Sequence, residues 1–303
     1  MSEIDRAVSE RRTLREANRV AGTDARSWHL VSARRVEFFD QAQLGRADQI
    51  VLDMEDAIDG SLKDQARDNV VGWLQGGGRA WVRINDWTTD DWAGDLAALA
   101  GVESLAGVML AKAESAEQVT DTFQRLGGIV PVIPLLESAL GIEDAATIAR
   151  ARGAYRLAFG SGDYRKDTGA ENDPLAMAYP RTKLVLASRI GGLPGPIDGP
   201  TVGHSHPLLR EQAADAVSMG MTGKLCLDAE QPAVINETMS PSPADVAWAI
   251  DFLRKFEEGG RVVRDGSDKP RLARAEVIRR RAEIFRIQPP QDGSAAGAAD
   301  SVY

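Results

Sequence analysis

Residues 130–138, V-P-V-I-P-L-L-E-S, and residues 155–164, Y-R-L-A-F-G-S-G-D-Y, are apolar runs that each close on an acid, Glu137 and Asp163. Each has four or more apolar residues, β-branched or aromatic members, and Gly or Pro punctuation, which is the pattern of a buried strand. Between them, A-L-G-I-E-D-A-A-T-I-A-R-A-R-G (139–153) carries apolar residues at three- and four-residue steps, so a helix joins the strands. A strand–helix–strand unit with a short crossover makes its strands parallel neighbours. Both carboxylates are then expected just past the C-terminal ends of adjacent strands, within reach of one hard cation. Two carboxylate oxygens completed by water suit Mg²⁺.

The unit repeats along the chain. Strands are expected at 29–33, 48–57, 80–85 and 107–112, then the opening pair, a weak seventh near 195–202 and an eighth at 223–229. Helical patterns follow most of them. Asp53, Arg83, Leu110, Glu137 and Asp163 mark the strand ends at intervals of 30, 27, 27 and 26 residues, each the length of one strand, one helix and two loops. Eight such units predict an α/β fold, a (β/α)₈ TIM barrel, which commonly takes about 250 residues. A doubly wound open sheet lacks support, because no G-x-G-x-x-G follows the first strand. The expected organisation is a polar N-terminal arm (1–27), the barrel (28–240), a C-terminal helical or lid segment (241–287) and a Pro/Gly-rich disordered tail (288–303).

Composition narrows the function classes. The chain is 43% hydrophobic and 27% charged, as in soluble globular proteins, and its net charge of −9 argues against general nucleic-acid binding. A single cysteine, Cys226, cannot form an internal disulfide and favours a reducing compartment; its apolar neighbours read it as a buried, inert thiol. The charged N-terminus has no apolar signal region, and no run reaches the roughly 18 apolar residues of a spanning helix. A cytoplasmic protein without membrane partners is expected.

Barrel active sites lie at the C-terminal rim of the strands. That rule selects Asp53, Glu55, Asp56, Arg83, Lys112, Glu137 and Asp163 together. Taken singly, the acids after the second strand can be helix caps, and Arg83 and Lys112 can be their structural ion-pair partners. The strand before Glu137 is too apolar to bury an unpaired carboxylate. Asp163 ends a Gly-rich turn, F-G-S-G-D, in which Gly160 and Gly162 permit close approach of a ligand to the backbone. His204 and His206 form H-S-H, a spacing open to a metal, but with no third ligand nearby a solvated loop is the simpler reading. His29 reads as a core or rim residue. There is no G-x-S-x-G and no C-x-x-C, and the Gly-rich stretch at 190–196 does not match a phosphate loop.

The series V-L-D-M-E-D-A-I-D-G-S-L-K-D-Q-A-R (51–67), W-V-R-I-N (81–85), V-M-L-A-K (108–112), I-P-L-L-E-S-A-L-G-I (133–142), L-A-F-G-S-G-D-Y (157–164), G-K-L-C-L-D-A-E-Q-P-A-V-I-N (223–236) and S-P-S-P-A-D-V-A-W-A-I-D-F-L (240–253) resembles the citrate lyase β-subunit-like (CitE-like) enzymes of the HpcH/HpaI aldolase and citrate lyase superfamily. The likeness runs from about residue 28 to residue 285. It implies a Mg²⁺-dependent (β/α)₈ barrel, assembled as a homotrimer or a hexamer. The implied activity makes or breaks the carbon–carbon bond between an acyl-CoA enolate and a 2-oxo acid, with malyl-CoA, citramalyl-CoA or citryl-CoA lyase and malate-synthase-like chemistry as its variants. A class II pyruvate or 2-oxo acid aldolase working without CoA, and a catalytically inactive CoA-ester-binding homologue, are the alternatives.

Carried over by residue, the resemblance implies that Glu137 and Asp163 ligate the metal. It makes Arg83 a catalytic and substrate-binding arginine, with Glu55 and Asp56 organising metal-bound water and that arginine. Lys112 and Gly162 join Asp56 on the substrate side. G-S-D-K-P-R-L-A-R-A-E (266–276) resembles the family's D-x-P segment with two residues deleted before the Asp, which implies that Asp268 is the acid/base supplied from a neighbouring subunit. Two departures concern the acyl carrier. After the first strand the family's V-P-G or V-P-A becomes V-S-A-R-R-V-E, with Glu37 where a base is expected; Arg34 and Arg35 are the replacement contacts for the CoA phosphates. In the eighth strand K-x-x-I-H-P becomes K-L-C-L-D-A, so Asp228 replaces His.

Overall fold

The computed structural model describes residues 3–56 and 58–290 and divides into two compact units, one ending at Met239 and the other beginning at Ser240. The first is a closed, all-parallel barrel of eight strands in sequential order. They are β1 Ser27–Ser32, β2 Gln49–Asp53, β3 Ala80–Ile84, β4 Leu105–Leu110, β5 Val132–Leu136, β6 Ala158–Phe159, β7 Ile197–Asp198 and β8 Gly223–Cys226. The (β/α)₈ barrel expected from the pitch of the strand ends is the fold. Among the described residues no helix is long and apolar enough to cross a membrane.

Several elements differ from the sequence reading. The strand expected to run from 155 to 164 is two residues long, because Gly160 caps a helix, Ser161–Thr168, that begins at once. Asp163 therefore sits in that helix's first turn and not at the end of the strand. The crossover helix expected over 139–153 is broken into Ala139–Glu143 and Ala145–Ile148. The sequence reading leaves residues 165–189 unassigned, yet Pro174–Gly191 is an 18-residue helix. Its start carries a strong signal: the Asp173 side chain accepts from the Leu175 and Ala176 N–H groups, and Pro174 occupies the first turn.

The polar arm is a helix, Glu3–Ala17. Arginines on it and just after it are bonded to the barrel unit: Arg12 to Gly76 O at 2.8 Å and to Asp40, Arg19 to Asp48 O and Gln43 O at 3.1 Å each. The second unit is a helical hairpin, Pro243–Glu258 and Asp268–Phe285, as the C-terminal helical segment predicted. The tail read as disordered lies outside the described residues from 291 onward.

Inside the barrel, Trp28 packs edge-on against Trp81 (5.4 Å between centroids), and Trp81 against Tyr155 (5.1 Å). Arg156 is fully buried and donates to Gly22 O, Ala25 O, Gly195 O and Thr222 Oγ1 at 2.7–2.9 Å. Between the sheet and helix Pro174–Gly191 lies a buried ionic cluster: Asp198 accepts from Arg181 Nε at 2.8 Å and from Lys224 Nζ at 2.8 Å. Asp198 and Lys224 are cross-strand partners, so the sheet register places them together. Burial raises the Asp198 carboxyl, but Lys224 and Arg181 outweigh it and hold the group below the usual carboxylate range.

Removing one member of such a cluster leaves uncompensated buried charge, which costs about 3–5 kcal/mol. Asp198→Ala is expected to lower the urea unfolding free energy by that amount. Because the folded carboxyl is depressed, its contribution is present above the ordinary carboxylate range and lost as pH falls; the variant should lack that part of the acid limb. A loss below about 1 kcal/mol would show that the two cations re-pair.

Candidate active site

Parallel strands in register point facing residues to the same side. Asp53 and Arg83 are such partners across β2 and β3, and both stand at the C-terminal rim. The result is a bidentate pair, Arg83 Nε to Asp53 Oδ1 at 2.7 Å and Nη2 to Oδ2 at 2.8 Å, with Nη1 3.3 Å from Glu55 Oε2. The structural ion pair that the sequence left open for Arg83 is thus real. Burial lowers the guanidinium, but Asp53, Glu55 and Glu137 outweigh it and keep the group firmly charged.

The loop after β2 is held from below by a residue the sequence reading passed over. Lys63 is buried and donates through Nζ to Met54 O (2.9 Å), Glu55 O (2.8 Å) and Asn85 Oδ1 (2.6 Å). Asn85 is in turn fixed by Asp95, which accepts its N–H and its amide. The signal for Lys63 was weak: a lysine in the first turn of an amphipathic helix reads as solvated, and only the loop's need for a donor reveals it.

Glu55 is buried and its carboxyl is raised by that burial, against the pull of Arg83 and Lys112. For the half-exposed Asp56, burial raises the carboxyl, but its hydrogen bond with Glu55 and the charge of Lys112 outweigh that and hold the group below the usual carboxylate range. Lys112 Nζ reaches both, at 2.5 Å from Glu55 Oε1 and 3.2 Å from Asp56 Oδ1.

Glu137 and Asp163 come together. With Lys112, Asp86, Glu114 and Lys166 they line one cleft of about 460 Å³. Glu137 is 4% exposed and its Oε1 accepts the Lys112 N–H at 2.8 Å. Among the described residues no donor reaches its Oε2, and none reaches Asp163. Burial pushes the Glu137 carboxyl up to about 8, with the like charges of Glu55 and Asp163 adding to the rise and the Lys112 N–H and Arg83 only partly offsetting it. Two carboxylates with free oxygens, one of them buried with its carboxyl raised, fit a hard divalent cation completed by water and substrate oxygens. Among the described residues there is no group of three or more His, Cys, Asp or Glu arranged for a metal, so a softer, protein-saturated site is absent there.

The glycine that matters in F-G-S-G-D is Gly160. A Cβ there would lie 2.2 Å from Glu137 Oε2, whereas one on Gly162 would meet nothing within 4 Å. Arg35 lines a second cleft, of about 430 Å³, with Ser32, Phe38, His29 and Asp228; it pairs with Glu37 at 2.8 Å and stacks on Phe38. Arg34 is exposed. The H-S-H pair does not converge on a metal: His204 Nδ1 lies 3.1 Å from Asp228 Oδ2, and His206 opens helix His206–Ser218. His29 is buried, which lowers its pKa, and faces the charge of Asp228. Cys226 is buried and free, its thiol pushed up by burial. Asp268 belongs to the second unit, where it opens helix Asp268–Phe285 and accepts the Arg264 N–H at 2.7 Å.

Comparison with known proteins gives the following. Residues 26–229 match the family model described as HpcH/HpaI aldolase/citrate lyase, and residues 244–286 match the HpcH/HpaI aldolase C-terminal domain. A citrate lyase subunit beta-like protein of Mycobacterium tuberculosis is 34% identical over 271 residues, covering 84% of this chain and 94% of that protein. The mitochondrial citramalyl-CoA lyase of Homo sapiens is 29% identical, covering 70% of this chain and 69% of its own. A crystal structure of the CitE protein of Mycobacterium tuberculosis in complex with magnesium, acetoacetate and coenzyme A matches with a TM-score of 0.72 at 30% identity, over 86% of this chain and 99% of that one.

The Lys63 anchor generates a direct test. Lys63→Met leaves three buried acceptors without their charged donor and is expected to cost about 2–3 kcal/mol in denaturant unfolding. An unchanged midpoint would mean that the loop finds other donors.

Proposed function

The chain belongs to the HpcH/HpaI aldolase/citrate lyase family, and on that premise we propose that it is a Mg²⁺-dependent carbon–carbon lyase or synthase acting on acyl-CoA thioesters and 2-oxo acids. The observation that carries this reading is the shared cleft of Glu137 and Asp163, each with an oxygen free of any donor among the described residues. Glu137 and Asp163 would hold Mg²⁺, which would supply Lewis acidity toward the 2-oxo acid.

The protein's own part is orientation and charge. Arg83, fixed by Asp53, presents a positive charge that opposes the negative charge developing on a thioester enolate. Glu55 and Asp56, gathered by Lys112, order water and the arginine. Lys112, Asp56 and Gly162 face the substrate, and Asp268 of a second copy moves the α-proton of the thioester. The last role makes the working form an oligomer, a homotrimer or hexamer. Arg34 and Arg35 take the acyl-carrier phosphates, with Arg35 giving up part of its pairing with Glu37. That same pairing, together with Asp228, favours as second reading a class II 2-oxo acid aldolase that has no use for CoA. Acetyl-CoA or propionyl-CoA raises the melting temperature under the first reading and leaves it unmoved under the second.

Glu137→Ala or Asp163→Ala is expected to abolish Mg²⁺-dependent turnover while the far-ultraviolet spectrum and melting temperature of the metal-free protein stay close to wild type. The assay is product mass from acetyl- or propionyl-CoA with glyoxylate or oxaloacetate, with and without Mg²⁺; undiminished turnover in either variant removes the metal-centred reading. Because burial holds the Glu137 carboxyl at about 8, cation binding below that pH displaces a proton. Mg²⁺ affinity measured by calorimetry should therefore climb by about tenfold per pH unit toward 8 and level off above it.

A further inference from the structure

Lys112 lines the cleft with its backbone in the left-handed region, at φ +50°. A residue with a side chain holds that conformation against steric cost, whereas glycine adopts it freely. Its chain neighbours are tied into the sheet: the Ala111 N–H donates to Ile84 O at 3.3 Å and the Ala113 N–H to Leu135 O at 3.0 Å. Between them the Lys112 N–H turns out of that pattern and donates to Glu137 Oε1 at 2.8 Å. The far end of the same residue is anchored on the opposite side of the site, its Nζ bonded to Glu55 Oε1 and Asp56 Oδ1. Glu55 is itself buried against Arg83, so the anchor point is rigid.

We propose that Lys112 is a positioning residue for the cation-binding carboxylate: its ammonium, anchored on Glu55 and Asp56, holds the left-handed turn, and the turn aims the main-chain N–H that fixes Glu137. With Oε1 occupied by that N–H, Oε2 is the oxygen left for the cation, and Gly160 leaves it the room. This inference rests on the reading of Glu137 and Asp163 as Mg²⁺ ligands. It extends that reading to a residue that touches no metal, through a coupling between a side-chain ion pair and a backbone conformation.

The coupling separates two substitutions that a simple loss of positive charge would not. Lys112→Gly removes the ammonium, but glycine needs no anchor to keep the turn, so its Mg²⁺ dissociation constant should stay within about threefold of wild type. Lys112→Ala removes the same ammonium and keeps the steric cost. The turn relaxes, Glu137 loses its donor, and Mg²⁺ binding should weaken by about tenfold or more, the usual scale for losing a partner of a metal ligand. Lys112→Arg keeps a cation and should recover most of the wild-type affinity, and Lys112→Asn, more tolerant of left-handed backbone than alanine, should fall between Gly and Ala.

The measurements are the melting temperature of each metal-free protein and Mg²⁺ affinity by calorimetry, with Mg²⁺ alone as the ligand. The metal-free melt shows whether each variant is folded, and the Asn variant carries the comparison where Ala is not. Equal Mg²⁺ affinity in the Gly and Ala (or Asn) variants, whether strong or weak, overturns the coupling. A wild-type protein that binds no Mg²⁺ overturns the metal reading and this inference with it, a failure visible before any substitution is made.

Discussion

The mouth of the barrel concentrates charge where water is scarce, and the whole site is arranged around making that tolerable. Arg83 is bracketed by Asp53 and Glu55, Glu55 by Lys112, and the loop that carries Glu55 by the buried Lys63. Asp53, Glu55 and Arg83 are desolvated, so each demands partners with good geometry. Glu137 accepts one neutral N–H, and burial, with the like charges of Glu55 and Asp163, raises its carboxyl against the pull of that N–H and of Arg83. Its free oxygen and those of Asp163 line one cleft. Paired carboxylates of that kind suit a hard divalent cation.

The sequence carried the barrel and the identity of the rim residues well, because both follow from periodicity. Strand ends recur every 26 to 30 residues, and the rim of a barrel is where strand ends meet. Asp53, Arg83, Lys112 and Glu137 were legible for that reason. What was illegible depends on three-dimensional neighbours. Lys63 and the Asp198–Arg181–Lys224 cluster join residues 8 to 26 positions apart whose partners no local pattern names. The short sixth strand is hidden in the sequence because apolar residues preceding a glycine-rich turn look the same whether the chain stays extended or begins to coil. Helix Pro174–Gly191 is masked by the proline in its interior, although its Asp-Pro start is a helix signal.

The F-G-S-G-D turn shows how close a motif can come without resolving roles. Its composition pointed to a tight approach, and the approach exists, but it is between backbone and the protein's own Glu137, at Gly160. Lys112 is a similar case. Its type placed it among the rim cations, while its backbone conformation, invisible in the sequence, gives it a second role through its N–H.

Barrel closure has a consequence for how this polypeptide is made. β1 pairs with β8 through Ser27, Trp28 and His29, so one edge of the first strand has no partner until residues 223–226 have left the ribosome. Arg156 likewise joins Gly22 and Ala25 to Gly195 and Thr222, segments synthesised far apart in time. An emerging chain therefore carries an open sheet through most of translation. Its last barrel strand converts that vulnerable intermediate, prone to mispairing with other nascent chains, into a closed one.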